Sequence, residues 1–117
     1  MHMFILDFAG TLTTLKDPVE YVVRLKQRHA GSKVVLYTGN EVDEIRQQCP
    51  GLLEVVDDLW PKPHSIMDKM QGMTLRRLTI VDDERDMLSA MRRFLRKHPI
   101  PQIDFLEPAA LLGLLAE

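Results

Sequence analysis

A chain of 117 residues is about one domain's worth, long enough to bury roughly two-thirds of its unfolded surface. Apolar residues make up 45% and charged residues 27%, an ordinary globular balance, and a formal charge of −2 gives no reason to expect nucleic acid or an anionic membrane as partner. No apolar run reaches bilayer length and no basic-then-apolar leader opens the chain. The single Cys49 and the scattered histidines form neither a disulfide nor a ligand pair, so a cytoplasmic protein with no membrane span is expected.

In chain order, Phe4-Ile5-Leu6 reads as a strand buried on both faces, with Asp7 at its C-terminal end and a Gly10-Thr11 turn close behind. Asp17 then suits an N-cap and Pro18 a first helical position, and Val19, Val22, Val23 and Leu25 keep helical spacing to about His29, where Gly31 stops the helix. Lys33–Tyr37 is a second buried strand ending at Thr38-Gly39-Asn40, with Asn40 as the cap of a helix through Cys49. Glu54-Val55-Val56 reads as a short third strand, and Trp60-Pro61-Lys62-Pro63 as irregular chain, because two prolines flank the lysine. Ile66, Met67 and Met70 mark a short helix, and Leu78–Val81 a fourth strand stopped by Asp82-Asp83. The helix after it carries Met87, Leu88, Met91, Phe94 and Leu95 on one side. Ile103-Asp104-Phe105 is a last strand, and Pro108–Ala116 a closing apolar helix that offers a surface for a homo-oligomer. Strands alternating with helices predict a three-layer α/β/α Rossmann-like domain over residues 1–117, with a parallel sheet of about five strands.

A parallel sheet brings its strand ends to one edge, so Asp7, Thr38, Lys62, Asp82, Asp83 and Asp86 are expected to converge from distant parts of the chain. Several carboxylates in one place need a cation, and oxygen ligands of this kind suit Mg²⁺. A carboxylate nucleophile, a metal ion, a hydroxyl and a compact ammonium together describe phosphoryl transfer. Each residue also has a plainer role: Asp82, Asp83 and Asp86 suit a helix N-terminus, Thr38 a turn, and Arg92, Arg93, Arg96 and Lys97 a helix C-terminus.

The order of these residues resembles the four signatures of the haloacid dehalogenase-like superfamily, mostly phosphatases, over residues 3–86. Asp7-Phe8-Ala9-Gly10-Thr11 is similar to the first motif, Thr38 to the second, Lys62 between Pro61 and Pro63 to the third, and Asp82-Asp83-Glu84-Arg85-Asp86 to the fourth. The resemblance implies Asp7 as a nucleophile forming an aspartyl-phosphate, and Thr38, Gly39 and Lys62 holding the phosphoryl group. Thr11 would brace the loop beside it and join in binding the phosphate, and Mg²⁺ would sit on Asp7, the Ala9 carbonyl, Asp82 and either Asp83 or Asp86. Ala9 departs from the family pattern, which places a second Asp there as general acid and base; its loss is expected to cost about 10²–10⁴ in rate. Thr13, Glu41 and His64 lie near the motifs as substitutes. The Asp-x-Ala-Gly-Thr form also resembles phosphonoacetaldehyde hydrolases, but their lysine sits in a cap domain, and only one helix separates the first two motifs here. The absent cap implies a large phosphorylated substrate, a macromolecule included, or a lid from another subunit. Two rivals stand beside the hydrolase: a catalytically inactive module of the same fold that binds Mg²⁺ and a phosphorylated partner, and a receiver-like domain, whose acidic pair should follow the first strand and not the fourth.

Overall fold

The computed structural model describes residues 1–63, 66–96 and 98–117. Five strands, β1 (His2–Leu6), β2 (Lys33–Thr38), β3 (Asp58–Pro61), β4 (Arg77–Val81) and β5 (Gln102–Leu106), pair in parallel in the order β3-β2-β1-β4-β5. Side chains alternate across this sheet and both faces are covered, which is why the central strands are apolar throughout. Phe4, Leu6, Val34 and Leu36 face a layer made by α1 (Pro18–Arg28), α2 (Val42–Gln48), α3 (Leu52–Val55) and α6 (Leu111–Ala116). Met3, Ile5, Val35, Tyr37, Leu78 and Ile80 face α4 (Ile66–Lys69) and α5 (Arg85–Leu95). The architecture is the expected three-layer Rossmann-like one. Among the described residues, β1 and β2 are joined by a single 3-10 turn (Leu12–Thr14) and α1, with no inserted cap.

The first helix forms as its sequence dictates. Asp17 Oδ1 accepts from the Glu20 N–H at 3.1 Å, Pro18 fills the first turn, and Tyr21, Val22 and Leu25 bury its inner stripe. A cap of this kind is worth about 1 kcal/mol.

Five local expectations are corrected. Glu54 and Val55 belong to the helix α3, with Val56 as its C-cap, and not to a strand; Leu52 at the start of α3 is pulled into the core beside α1. The third strand begins at Asp58, after Asp57 has exchanged backbone and side-chain hydrogen bonds with Val34, both at 2.8 Å. It runs through Trp60 to Pro61, a stretch expected to be irregular. Pro61 is tolerated because β3 is an edge strand and needs no donor on its outer side. The cap of α2 is Glu41, which forms a reciprocal capping box with Glu44, because Asn40 is held by Thr38 instead. On α5, Leu88, Met91 and Leu95 are buried but Phe94 is 70% exposed. The closing segment is a 3-10 turn (Pro108–Ala110) followed by α6, which buries Leu111 and Leu114 and leaves Leu112 68% exposed. Lys97, expected in the basic run that ends α5, lies outside the described residues.

The sheet's N-terminal edge is tied by charge. Arg77 donates to Asp104 at 2.9 Å and forks onto both carboxylate oxygens of Glu117 at 3.1 Å. His2 lies 2.8 Å from Thr79 Oγ1 and packs on Phe4 and His29. Burial first, and then Arg77, lower the His2 pKa to about 4, so its ring is neutral at pH 7. No helix among the described residues is long and apolar enough to cross a membrane.

Trp60 reports on the corrected third strand. It is the chain's one tryptophan, 2% exposed, and its indole N–H donates to Asp58 at 2.9 Å. Its fluorescence should be blue-shifted, resist iodide quenching, and move red on denaturation. Trp60→Ala should cost about 3–5 kcal/mol in urea unfolding. A solvent-like emission spectrum of the folded protein would contradict this strand.

Candidate functional site

The strand order reverses between β1 and β4, and open parallel sheets bind ligands beyond the C-terminal strand ends at such a switch point. Leu6 is in register with Val81, so the next residues on the two strands, Asp7 and Asp82, emerge side by side. The Asp7 N–H donates to Val81 O at 3.0 Å and the Asp82 N–H to Leu106 O at 3.1 Å, which continues the sheet's bonding one residue past each strand. Neighbouring strands are about 4.8 Å apart, so two buried carboxylates are forced together by backbone geometry alone.

Lys62 supplies the opposing charge. Its Nζ donates to Asp7 Oδ1 at 3.0 Å and to Asp82 Oδ2 at 2.8 Å. It comes from the end of β3, two strands from β1, a separation of roughly 10 Å that a lysine stem can bridge with help from the loop. That loop is fixed by the Lys62 N–H, which donates to Thr38 O at 2.9 Å, and the Lys62–Pro63 peptide bond is cis. The ammonium also lies 5.4 Å from the centre of the Tyr37 ring.

The rest of the β1 loop is built around Asp7. Thr11, fully buried, donates its hydroxyl to Asp7 Oδ2 at 3.3 Å, so it braces the carboxylate and does not present a free donor to a ligand. Gly10 has φ +75°, and a Cβ there would collide with the Asp83 carboxylate; both facts call for glycine. Asp82 Oδ1 accepts from the Glu84 N–H at 2.9 Å, which leaves its other oxygen for Lys62.

The expected residues are gathered in part. Among the described residues, Asp7, Asp82 and Asp83 each place a carboxylate oxygen within 4.8 Å of the others. Asp86 is exposed in the first turn of α5 and lies outside that group. Ala9 and Gly39 are exposed on the loops after β1 and β2. Thr38 is buried and its hydroxyl is engaged with Asn40, donating to Oδ1 at 2.8 Å and accepting from the Asn40 N–H at 3.1 Å. Of the substitutes considered for a missing acid, Thr13 accepts from the Gly10 N–H at 2.9 Å, Glu41 caps α2, and His64 lies outside the described residues. Sequence reasoning missed two residues, Tyr37 beneath Lys62 and Asn40 on Thr38. Strand alternation could have put Tyr37 on the face of Val35, but the partner of Thr38 depended on the turn conformation.

The electrostatics follow from crowding. Burial is the largest influence on Asp7 and pushes its carboxyl up to about 7; Asp82 and Asp83 push the same way and Lys62 opposes them. For Lys62, burial disfavours the charge, but the hydrogen bonds to Asp82 and Asp7 outweigh it and raise the pKa above that of an ordinary lysine. Three carboxylates against one ammonium leave a formal charge of −2 when all are ionised. That excess, carried by hard oxygen donors with Asp83 open to solvent, is a donor set that fits a divalent ion of the Mg²⁺ type. Compared with protein-family models, curated proteins and solved structures, the chain finds no match.

The shift of Asp7 predicts a pH-dependent stability. Its carboxyl titrates near 3.8 unfolded and about 7 folded, so the metal-free native state binds more protons in that interval. Stability from this group is full below about pH 4 and is lost as pH rises to 7. Asp7→Asn removes the ionisation and should stabilise the metal-free protein at pH 8 by about 1–3 kcal/mol, a gap that narrows toward pH 4. Urea unfolding at the two pH values measures it; a less stable variant at pH 8 would mean that the bridge to Lys62 outweighs burial.

Proposed function

We propose that the chain is a Mg²⁺-dependent phosphohydrolase working through an aspartyl-phosphate on Asp7. The observation that carries this reading is the Lys62 ammonium held between Asp7 and Asp82 at the sheet's switch point, with Asp83 beside them. A structural ion pair needs two partners, whereas this cluster holds an excess of carboxylate at the C-terminal strand ends. Mg²⁺, when bound by Asp7, Asp82, Asp83 and the Ala9 carbonyl, would neutralise charge between the nucleophile and the phosphate.

In the proposed reaction an ionised Asp7 oxygen attacks phosphorus and the bond from phosphorus to the leaving oxygen breaks. Water then attacks the acyl phosphate and releases inorganic phosphate, restoring Asp7. Lys62 would shift its hydrogen bonds from the carboxylates to the transferring phosphoryl oxygens, where charge builds. Thr11 fixes the trajectory of Asp7 by holding Oδ2, which leaves Oδ1 for chemistry. Thr38 would join the phosphate pocket by exchanging its bond to Asn40 for one to phosphate. Ala9 offers no proton to a departing alkoxide, so this site favours leaving groups stable as anions. The buried free thiol of Cys49 is in keeping with a cytoplasmic setting.

Acetyl phosphate needs no proton on its leaving group and should be hydrolysed faster than an alkyl phosphate such as glycerol phosphate. Ala9→Asp should raise the alkyl rate by about 10²–10⁴ and the acyl rate by less, since an acid serves only the alkyl departure while a base for water serves both. Asp7→Asn and chelation by EDTA should each abolish both activities in a phosphate-release assay. Magnesium binding without hydrolysis of any substrate would turn the reading to a phosphate-binding module.

A further inference from the structure

Beside the charged cluster, on the face covered by α4 and α5, lies an apolar groove of about 310 Å³. Its lining includes Tyr37, Pro63, Met67, Met87, Met91 and Phe94. Two of these residues tie it to the cluster: Pro63 follows Lys62 in the chain, and the Tyr37 ring lies 5.4 Å from the Lys62 ammonium. The phosphate end of the proposed site and the apolar groove therefore share one wall. The size suits a ring system, since ligand pockets begin near 300 Å³. Methionines adapt their shape and favour contact with aromatic faces. Phe94, 70% exposed on the rim, is an aromatic surface that the fold itself does not use.

We propose that the substrate is an aryl phosphate, its phosphate on Lys62 and its ring in the groove between α4 and α5. This rests on the phosphohydrolase reading and names its substrate class. Within that reading Ala9, whose side chain has no proton to give, points the same way. When the bond from phosphorus to the aryl oxygen breaks, the electron pair leaves on a phenol-type oxygen. That oxide delocalises its charge and takes its proton from water afterwards, so no general acid is needed at the moment of departure.

The test uses the full chain. Wild type should hydrolyse 1-naphthyl phosphate with a KM at least about tenfold below that for acetyl phosphate, a ratio typical of a filled apolar pocket. Ala90→Leu, which fills the groove from α5, should raise the naphthyl KM about tenfold and leave kcat/KM for acetyl phosphate unchanged. Equal KM values in wild type, or an unmoved naphthyl KM in the variant, would overturn the proposal. A second arm needs no turnover: with ¹³C-methyl methionine, 1-naphthylphosphonate should shift the Met67, Met87 and Met91 signals and leave the buried Met3 unmoved, while methylphosphonate shifts none of them. Met67, Met87 and Met91 unmoved by naphthylphosphonate, or moved equally by 1-naphthol, would remove the groove as the ring's site. If no phosphate is hydrolysed but the phosphonate still moves those three methionines, hydrolysis fails and the aryl phosphate site stands.

Discussion

One half-buried ammonium between two buried carboxylates decides what the upper edge of this sheet can be. The register of β1 against β4 puts Asp7 and Asp82 at adjacent strand ends whatever their charge. Two such buried groups would repel, and the fold answers by bringing Lys62 across from the edge strand. The local devices around it serve that placement. Thr38 O anchors the Lys62 backbone, Tyr37 lies beneath the ammonium, Thr11 steadies Asp7, and Gly10 clears room for Asp83. With all three carboxylates ionised the lysine cancels one charge of three, so the cluster keeps an excess of negative charge.

Much of this edge was legible in the sequence because it depends on few assumptions. Apolar runs ending in Asp7 and Asp82 imply central strands, and parallel pairing then makes the carboxylates neighbours without any knowledge of side-chain conformation. Lys62 was legible for a different reason: proline on both sides marked the segment, although the same prolines misled about its structure. Pro61 ends a strand because β3 lies at an edge, and edge position is a property of the whole sheet that no local window contains. Glu54-Val55-Val56 failed in the converse way. Its β-branched residues favour extension, but burial of Leu52 against the first layer is worth more than that propensity. Asp86 shares the acidic run with Asp82 and Asp83, yet helix geometry turns it to solvent one residue into α5. Capping followed tertiary circumstance too: Asn40 is the better cap by type, but Thr38 held it first.

The groove below Lys62 was not legible at all. Met67, Met87, Met91 and Phe94 sit at spacings that read as an ordinary buried stripe. α4 is only four residues long and covers less of the sheet than a full helix would, so part of that stripe becomes the wall of a groove.

The two ends of the strands carry different loads. Above, charge is left unbalanced around Lys62; below, Arg77 is satisfied by Asp104 and Glu117, and His2 is held neutral against Phe4. Such a division lets the two rims evolve under separate pressures. Substitutions that strengthen the lower clasp lie a strand's length from the charged rim, so the effects of altering the two should add.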